Sequence, residues 1–99
     1  MARSIEFSRR FTKQLLKVLT FYDERNGNDK YSRYIMTCLM EDIQRIALMP
    51  TIGSPSTRKD VRFFYLLDFT IIYRYNSKKI SFLSIRSFVQ KPLKIYQKK

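Results

Sequence analysis

From residue 9 onward, the spacing of the apolar side chains changes once, near residue 60. This change limits the possible folds more than any other feature of the sequence. Between residues 9 and 49 the apolar side chains recur about every 3.6 residues, the period of an α-helix. After Arg58-Lys59-Asp60 they alternate with a period of about two, the period of a β-strand. Such a chain is expected to place helices before most of its sheet and to pack them on one sheet face.

Two helices are predicted in the first half of the chain. Ser8 can cap the first helix, and Gly27 suits the left-handed position after its end. Asn28 or Asp29 can cap the second helix, which should run to about Met49 because Pro50 stops it. The short link makes the pair an antiparallel hairpin. The apolar stripes are Phe11, Leu15, Val18, Leu19 and Tyr22, then Tyr31, Ile35, Cys38, Leu39, Ile43 and Ile46.

Four segments have strand character. Residues 3–8 alternate, and so do Val61–Leu67, Phe69–Asn76 and Ile80–Ile85. The prediction is an α+β fold with the order β-α-α-β-β-β, in which a two-helix antiparallel hairpin packs on one face of a small, mostly antiparallel four-stranded sheet. A chain of 99 residues is expected to form one domain over residues 1–99. Residues 88–99 are either a flexible basic tail or a short C-terminal helix.

The charge is large and unevenly distributed. The chain has 20 Lys+Arg and 8 Asp+Glu residues, a net charge of +12. Residues 1–50 contain 9 basic and 6 acidic side chains (net +3), and residues 51–99 contain 11 and 2 (net +9). A basic half-domain is typical of proteins with a polyanionic partner, such as nucleic acid, the ribosome or an acidic protein segment. The alternative is a soluble domain that is simply basic.

Several classes of site are excluded by residue content. The chain has no histidine and one cysteine, Cys38, so His-based triads, His-ligated zinc and thiolate clusters are impossible. We therefore expect no metal and no cofactor. A single cysteine fits a reducing cytoplasm. We see neither a signal peptide nor an apolar run of about 18 residues, so neither secretion nor a membrane span is expected.

Arg74 is the unusual residue in the strand FTIIYRYN, residues 69–76. If the alternate residues from Phe69 to Tyr75 pack under the helices, Arg74 points to the opposite, open face of the sheet. Arg62 and Arg86 lie in or at the end of neighbouring strands. Two interpretations stay open: the three arginines solvate the sheet, paired to Asp60 or Asp68, or they form a basic face that binds a partner.

Four groups of residues carry a family resemblance. They are Ile5-Glu-Phe-Ser8 with the helix start, Ile46-Ala-Leu-Met-Pro50-x-x-Gly53, Val61-Arg62 with Phe69-Thr-Ile-Ile-Tyr73-Arg74-Tyr75, and Ile80-x-x-Leu83-x-Ile85 with Gln90-Lys91-Pro92. Together and in this order they resemble the RelE/ParE family of toxins from bacterial toxin–antitoxin modules. The resemblance implies a cytoplasmic toxin that forms a hetero-oligomer with an antitoxin, whose acidic, partly disordered arm wraps it. RelE-like members cut messenger RNA on the ribosome, and ParE-like members poison DNA gyrase.

The resemblance also implies which residues would cut RNA. RelE-type toxins supply Lys, Arg and a C-terminal Tyr on the open sheet face, but Thr70 and Val89 stand here where those toxins carry arginine. Losing two positioned donors is expected to cost about 2.7–4 kcal/mol each in transition-state stabilisation. Lys91 and Tyr96 are the remaining catalytic candidates.

The interpretation we favour is a ParE-like toxin that inhibits growth through gyrase or another protein. Two alternatives remain: a ribosome-dependent endoribonuclease of RelE type, and a degenerate toxin that retains only antitoxin binding. Arg62, Arg74, Arg86 and Lys91 are the residues predicted to bind the antitoxin or the target.

Overall fold

The computed structural model describes residues 3–87. The elements are β1 (Ser4–Phe7), α1 (Arg9–Asn26), α2 (Lys30–Leu48), a 3₁₀ turn (Pro50–Ile52), β2 (Ser54–Pro55), β3 (Val61–Leu66), β4 (Phe69–Tyr75) and β5 (Lys79–Ser87). The sheet has the order β1-β5-β4-β3-β2, in which β1 and β5 are parallel and the other neighbours are antiparallel.

The predicted α+β class and the helix pair on one sheet face are confirmed. The predicted strand count was wrong, because residues 3–87 alone form five strands instead of four. The additional strand, β2, has only two residues and contains Pro55, so it has no alternation to detect. The predicted tail, residues 88–99, lies outside the described residues.

The helix boundaries follow the predicted capping residues. The Ser8 hydroxyl accepts a hydrogen bond from the Phe11 N–H at 2.9 Å. Gly27 has φ 71°, and its N–H donates to the Asp23 carbonyl at 2.9 Å, which ends α1. At the start of α2 the side chain of Asn28, not that of Asp29, accepts from a backbone N–H, that of Lys30 at 3.0 Å. Local chemistry therefore sets the ends of both helices.

The core lies between the helix hairpin and one face of the sheet, which we call the helix face. Phe69, Ile71 and Tyr73 of β4 are fully buried there, as the alternation predicts, and Tyr75 is half-buried. The ring centroids of Tyr73 and Phe82 are 5.9 Å apart. The other buried apolar residues are Phe11, Val18, Ile35, Leu39, Ile43, Ile46, Ala47, Leu66, Ile80 and Ile85. Burying these side chains is the main stabilising contribution to the fold.

Strand β5 extends beyond the end of β1, and side chains near the start of α1 complete its edge. The Ser8 hydroxyl donates to the Leu83 carbonyl at 2.8 Å. The Gln14 side-chain oxygen accepts from the Ile85 N–H at 3.0 Å and from the Ser84 hydroxyl at 2.9 Å. Leu83 is also the extra residue of a β-bulge, because the pairing partners step from Ile72–Ser84 to Tyr73–Phe82. The helix start thus bonds to the part of the β5 edge that has no strand partner among residues 3–87.

The two hairpin turns differ in their chemistry. Leu67 and Asp68 join β3 to β4, and Leu67 has a positive φ of 53° without being glycine. The Asn76 side chain closes the turn between β4 and β5 by accepting from the N–H groups of Lys78 and Lys79 at 2.8 and 2.9 Å. Asparagine suits its turn position because its side chain bonds to the backbone, whereas leucine at a positive φ strains the backbone at Leu67.

Candidate functional site

The open face of the sheet, opposite the helices, is the first candidate surface. Residues that pair directly across strands project to the same face. The strand registers therefore form three rows on the open face. They are Tyr65–Thr70–Arg86, Phe63–Ile72, and Val61–Arg74–Ser81–Glu6.

Arg74 lies on this open face and is exposed, in the orientation that the alternation predicts. Its Nη2 is 3.1 Å from Oδ2 of Asp60, which selects Asp60 over Asp68 as its acidic neighbour. Lys79 and Glu6 form a second pair at 3.3 Å. A hollow of about 390 Å³ lies among these groups and is lined by Asp60, Arg74, Tyr75, Asn76, Lys79 and Ser81. This end of the face therefore presents paired charges, and its hollow is nearly neutral.

The opposite end of the open face presents Tyr65, Thr70 and Arg86 in one row. Tyr65 is 62% exposed, and Arg86 is exposed beside it across the half-buried Thr70. Tyr65 was not identified as a candidate from the sequence. The alternation of β3 could have identified it, because this pattern puts Val61, Phe63 and Tyr65 on the face opposite Leu66. This end of the sheet therefore presents an aromatic ring and, one strand beyond Thr70, a guanidinium that has no ion pair within residues 3–87.

Arg62 does not share the open face with Arg74 and Arg86. It pairs across the sheet with Tyr73, so it projects to the helix face. Its Nη1 donates to the carbonyls of Gly53 at 2.6 Å and Thr51 at 3.3 Å, and its Nε is buried without a hydrogen-bond partner among the described residues. Arg62 therefore holds the loop that follows α2. Of the two interpretations left open, the basic face would therefore consist of Arg74 and Arg86 without Arg62, and the role of the three arginines in binding stays a prediction.

Tyr73 reinforces the same loop from within the core. Its hydroxyl accepts from the Gly53 N–H at 3.1 Å and donates to the Pro50 carbonyl. Burial raises the pKa of the Tyr73 hydroxyl, and the Gly53 N–H and Arg62 offset part of that rise. A Cβ on Gly53 would lie 2.5 Å from the Tyr73 hydroxyl oxygen. The Pro50-x-x-Gly53 segment is therefore part of the core, and its glycine is required by close packing.

A second candidate surface is an apolar groove between the helices. It has a volume of about 220 Å³ and is lined by Phe7, Phe11, Thr12, Leu15, Met36, Leu39, Met40 and Ile43. Phe7 is 48% exposed and Met40 is 50% exposed at its rim. Accessible apolar side chains of this kind are typical of grooves that receive the apolar face of a helix. We refer to this surface as the apolar groove.

The remaining predicted site residues are not placed by the structure. Val89, Lys91 and Tyr96 lie outside residues 3–87, so their proposed roles stay predictions. Within residues 3–87 there is no group of three or more Cys, Asp or Glu side chains able to hold a metal ion. No helix in the same range is long and apolar enough to cross a membrane.

Comparison with known families decides the identity. A family model described as the ParE toxin of the type II toxin–antitoxin system parDE matches residues 5–90. The chain belongs to the ParE toxin family. It is therefore a toxin component of a type II toxin–antitoxin system, and an antitoxin is its expected class of partner.

Solved structures show that the ParE-family fold is shared. A chain of the chromosomal ParDE toxin–antitoxin system from P. aeruginosa has a TM-score of 0.74 and 21% sequence identity, covering 87% of this chain and 96% of that one. A chain of the E. coli DinJ-YafQ toxin–antitoxin complex has a TM-score of 0.50 and 18% identity, covering 91% and 97%. No curated protein matches this ParE-family chain in sequence.

Proposed function

We propose that this ParE-family toxin inhibits growth by binding a protein, with DNA gyrase as the first candidate, and does not cut RNA. The observation that carries the proposal is Thr70, which occupies the centre of the exposed row between Tyr65 and Arg86. The resemblance to RelE-type nucleases requires an arginine at this position. A neutral hydroxyl cannot stabilise a charged phosphorane as a guanidinium does.

The neighbouring charges support the same proposal. Arg74 is 3.1 Å from Asp60, and Arg62 donates to loop carbonyls on the other side of the sheet. Arg86 is thus the one arginine of the three that has neither an acidic partner nor a backbone partner among residues 3–87. A single guanidinium on an open, water-exposed face provides little of the preorganised electrostatic stabilisation that catalysis requires.

RNA cleavage is the second candidate function because of Tyr65. An exposed aromatic ring beside Arg86 is suited to stacking on a base and contacting a phosphate. The ribosome would then have to supply the missing stabilisation.

Two assays on the purified full chain separate these functions. In a supercoiling reaction, the proposal predicts accumulation of gyrase cleavage complexes, and the antitoxin should suppress them. In a translation extract, RNA cleavage would instead appear as new cuts within codons of ribosome-bound messages. Cuts in messages without gyrase inhibition would overturn the proposal. Growth arrest with neither cuts in messages nor gyrase inhibition would exclude gyrase and assign the toxicity to another protein. Absence of growth arrest after induction would support the degenerate toxin.

Variants in the Tyr65–Thr70–Arg86 row test whether the open face contacts the target. Tyr65→Ala and Arg86→Gln alter exposed side chains and should leave the fold intact. Tyr34→Ala is a matched control, since Tyr34 is also exposed (53%) but lies on α2. If the open face contacts the target, the first two variants reduce toxicity and the control does not.

The antitoxin is proposed to occupy the apolar groove through the apolar side of an acidic segment. The groove supplies the accessible apolar surface, and the net charge of +12 attracts an acidic chain. The short reading frame next to this gene should encode that antitoxin, and co-purification of the two proteins tests the pairing.

A further inference from the structure

The first half of α1 carries four cations that form no ion pair within residues 3–87. Arg9, Arg10, Lys13 and Lys17 are all exposed, and residues 9–17 contain no Asp or Glu. The four ion pairs within residues 3–87 involve Arg33, Arg45, Arg74 and Lys79, so none includes these cations. We call Arg9, Arg10, Lys13 and Lys17 the cationic ridge.

The position of the ridge is unfavourable for the helix itself. Arg9 and Arg10 follow the Ser8 cap directly, and the first turn of α1 contains no acidic residue. Positive charges at a helix N-terminus oppose the helix dipole, which favours acidic residues there. Helix stability therefore does not explain why cations occupy these positions. Binding of a negatively charged partner does explain it.

The ridge is separate from the two surfaces already described. Thr12 and Leu15 of α1 line the apolar groove, whereas Arg9, Arg10, Lys13, Gln14 and Lys17 border a different hollow of about 350 Å³. Gln14 also accepts from Ile85, which fixes this side of α1 beside the edge of β5. The open face lies on the other side of the sheet. A partner of the ridge would thus leave both other surfaces accessible.

Four features of the ridge favour duplex DNA over other polyanions. It extends about 12 Å along α1 from Arg9 to Lys17, and duplex DNA carries about one charge per 1.7 Å. The one aromatic residue within residues 9–17, Phe11, is buried, so no ring in this segment stacks on single-stranded bases. The Gln14 oxygen already accepts two internal hydrogen bonds, so it is not free to accept from the 2′-hydroxyl that distinguishes RNA from DNA. Leu16 is the one exposed apolar side chain within residues 9–17, fewer than the anchors of a protein interface.

We propose that the cationic ridge binds the phosphate backbone of duplex DNA without reading its sequence. The cations replace counterions on the phosphates, so affinity must fall steeply with salt. This activity belongs to the toxin chain itself and does not depend on which protein it inhibits.

The test measures binding of the full chain to a short mixed-sequence DNA duplex by fluorescence anisotropy, between about 50 and 200 mM salt. Four phosphate contacts predict a slope of log K against log salt of about −3.6. Lys13→Gln with Lys17→Gln should reduce the slope to about −1.8 and the affinity on the order of 50-fold at about 0.1 M salt. The matched control, Lys30→Gln with Lys59→Gln, removes the same charge from exposed positions elsewhere and should change the affinity less than threefold, roughly the effect of a distant screened charge.

Equal weakening by the control pair would assign the binding to net charge and overturn the proposal. Binding of single-stranded DNA or of an RNA duplex at least as tightly as the DNA duplex would also overturn it. So would an acidic peptide that displaces the duplex and binds more tightly. Circular dichroism of both double variants establishes that they are folded, so that a loss of binding reflects the ridge.

Discussion

The hydroxyl of Tyr73 accepts a hydrogen bond from the backbone N–H of Gly53 at 3.1 Å, which joins the middle strand of the sheet to the loop after α2. The hydroxyl is buried and also donates to the Pro50 carbonyl. Tyr73→Phe keeps the ring but leaves both backbone groups without this partner. Each unsatisfied buried group costs about 1–3 kcal/mol, so we expect the unfolding free energy to fall by roughly 2 kcal/mol or more. Urea denaturation measures the loss, and Tyr65→Phe on the exposed surface should change stability little.

Leu67 offers a stabilising substitution, because it has a positive φ of 53° in the hairpin turn between β3 and β4. This conformation costs most non-glycine residues on the order of 1–2 kcal/mol, and asparagine tolerates it better. Leu67→Asn should raise the unfolding free energy by about 0.5–1 kcal/mol. Asp68→Asn changes the other turn position, where φ is not positive, and serves as the control. A stability gain of the same size in both variants would contradict relief of strain at Leu67.

Asp42 predicts a pH dependence of stability. Burial raises its pKa above the ordinary 3.8, with a smaller rise from Glu41, and the neighbouring Arg45 lowers the pKa in part. The folded state therefore holds the Asp42 proton more tightly than the unfolded state. This contribution to stability is complete below about pH 3.8 and is lost as the pH rises through the folded-state pKa.

The Asp42→Asn variant has no ionisable group at this position, so it does not lose this contribution as the pH rises. The difference in unfolding free energy between the variant and the original chain should therefore shift in favour of the variant from about pH 3 to pH 7. Arg45→Gln should have the opposite effect, because it removes the cation 2.9 Å from the carboxylate. Thermal unfolding at the two pH values measures both differences. Parallel pH profiles for all three proteins would show that Asp42 does not titrate with folding.

Met40 tests the apolar groove as the antitoxin site. It is 50% exposed at the groove, so Met40→Glu puts a charge against the apolar side of the partner without removing a core residue. We expect antitoxin affinity to fall tenfold or more, about 1.4 kcal/mol or more. Leu16→Glu makes the same chemical change on α1 outside the groove. Isothermal titration calorimetry compares them, and equal effects would place the antitoxin elsewhere.

Arg74 tests the open face independently. Arg74→Glu reverses a charge and places a carboxylate next to Asp60. If an acidic partner binds this face, affinity should fall about tenfold, which is about 1.4 kcal/mol. Arg58→Glu makes the same reversal in an exposed loop and is the matched control. Unchanged affinity for Arg74→Glu would exclude this end of the face from the antitoxin contact.

Features that depend on neighbouring residues in the sequence could be predicted. Ser8 and Gly27 end their helix as expected, because capping depends on one side chain or one backbone angle. The buried side of β4 followed from its strict alternation, and so did the orientation of Arg74. The family resemblance, drawn from several such segments in order, agrees with the ParE family match.

Features that depend on distant partners could not be predicted in the same way. The bulge at Leu83 could not be predicted, because β5 contains no glycine that would indicate one. The bulge becomes apparent only from the pairing of β5 with β4. Arg62 was grouped with Arg74 by charge, although its alternation with Phe64 and Leu66 already placed it on the helix face. Its hydrogen bonds to Thr51 and Gly53 depend on where the loop after α2 returns to the sheet.

The pairing of β1 with β5 has a consequence for synthesis of the toxin. Among residues 3–87, the first strand, Ser4–Phe7, pairs with β5 alone. Strand β5 ends at Ser87, and the Ser8 hydroxyl donates to the Leu83 carbonyl. Contacts this far apart in sequence form late, after the intervening chain is available. A nascent chain on the ribosome therefore lacks the finished sheet until residues up to Ser87 have emerged. The producing cell is exposed to a folded toxin only after β5 has left the ribosome and paired with β1.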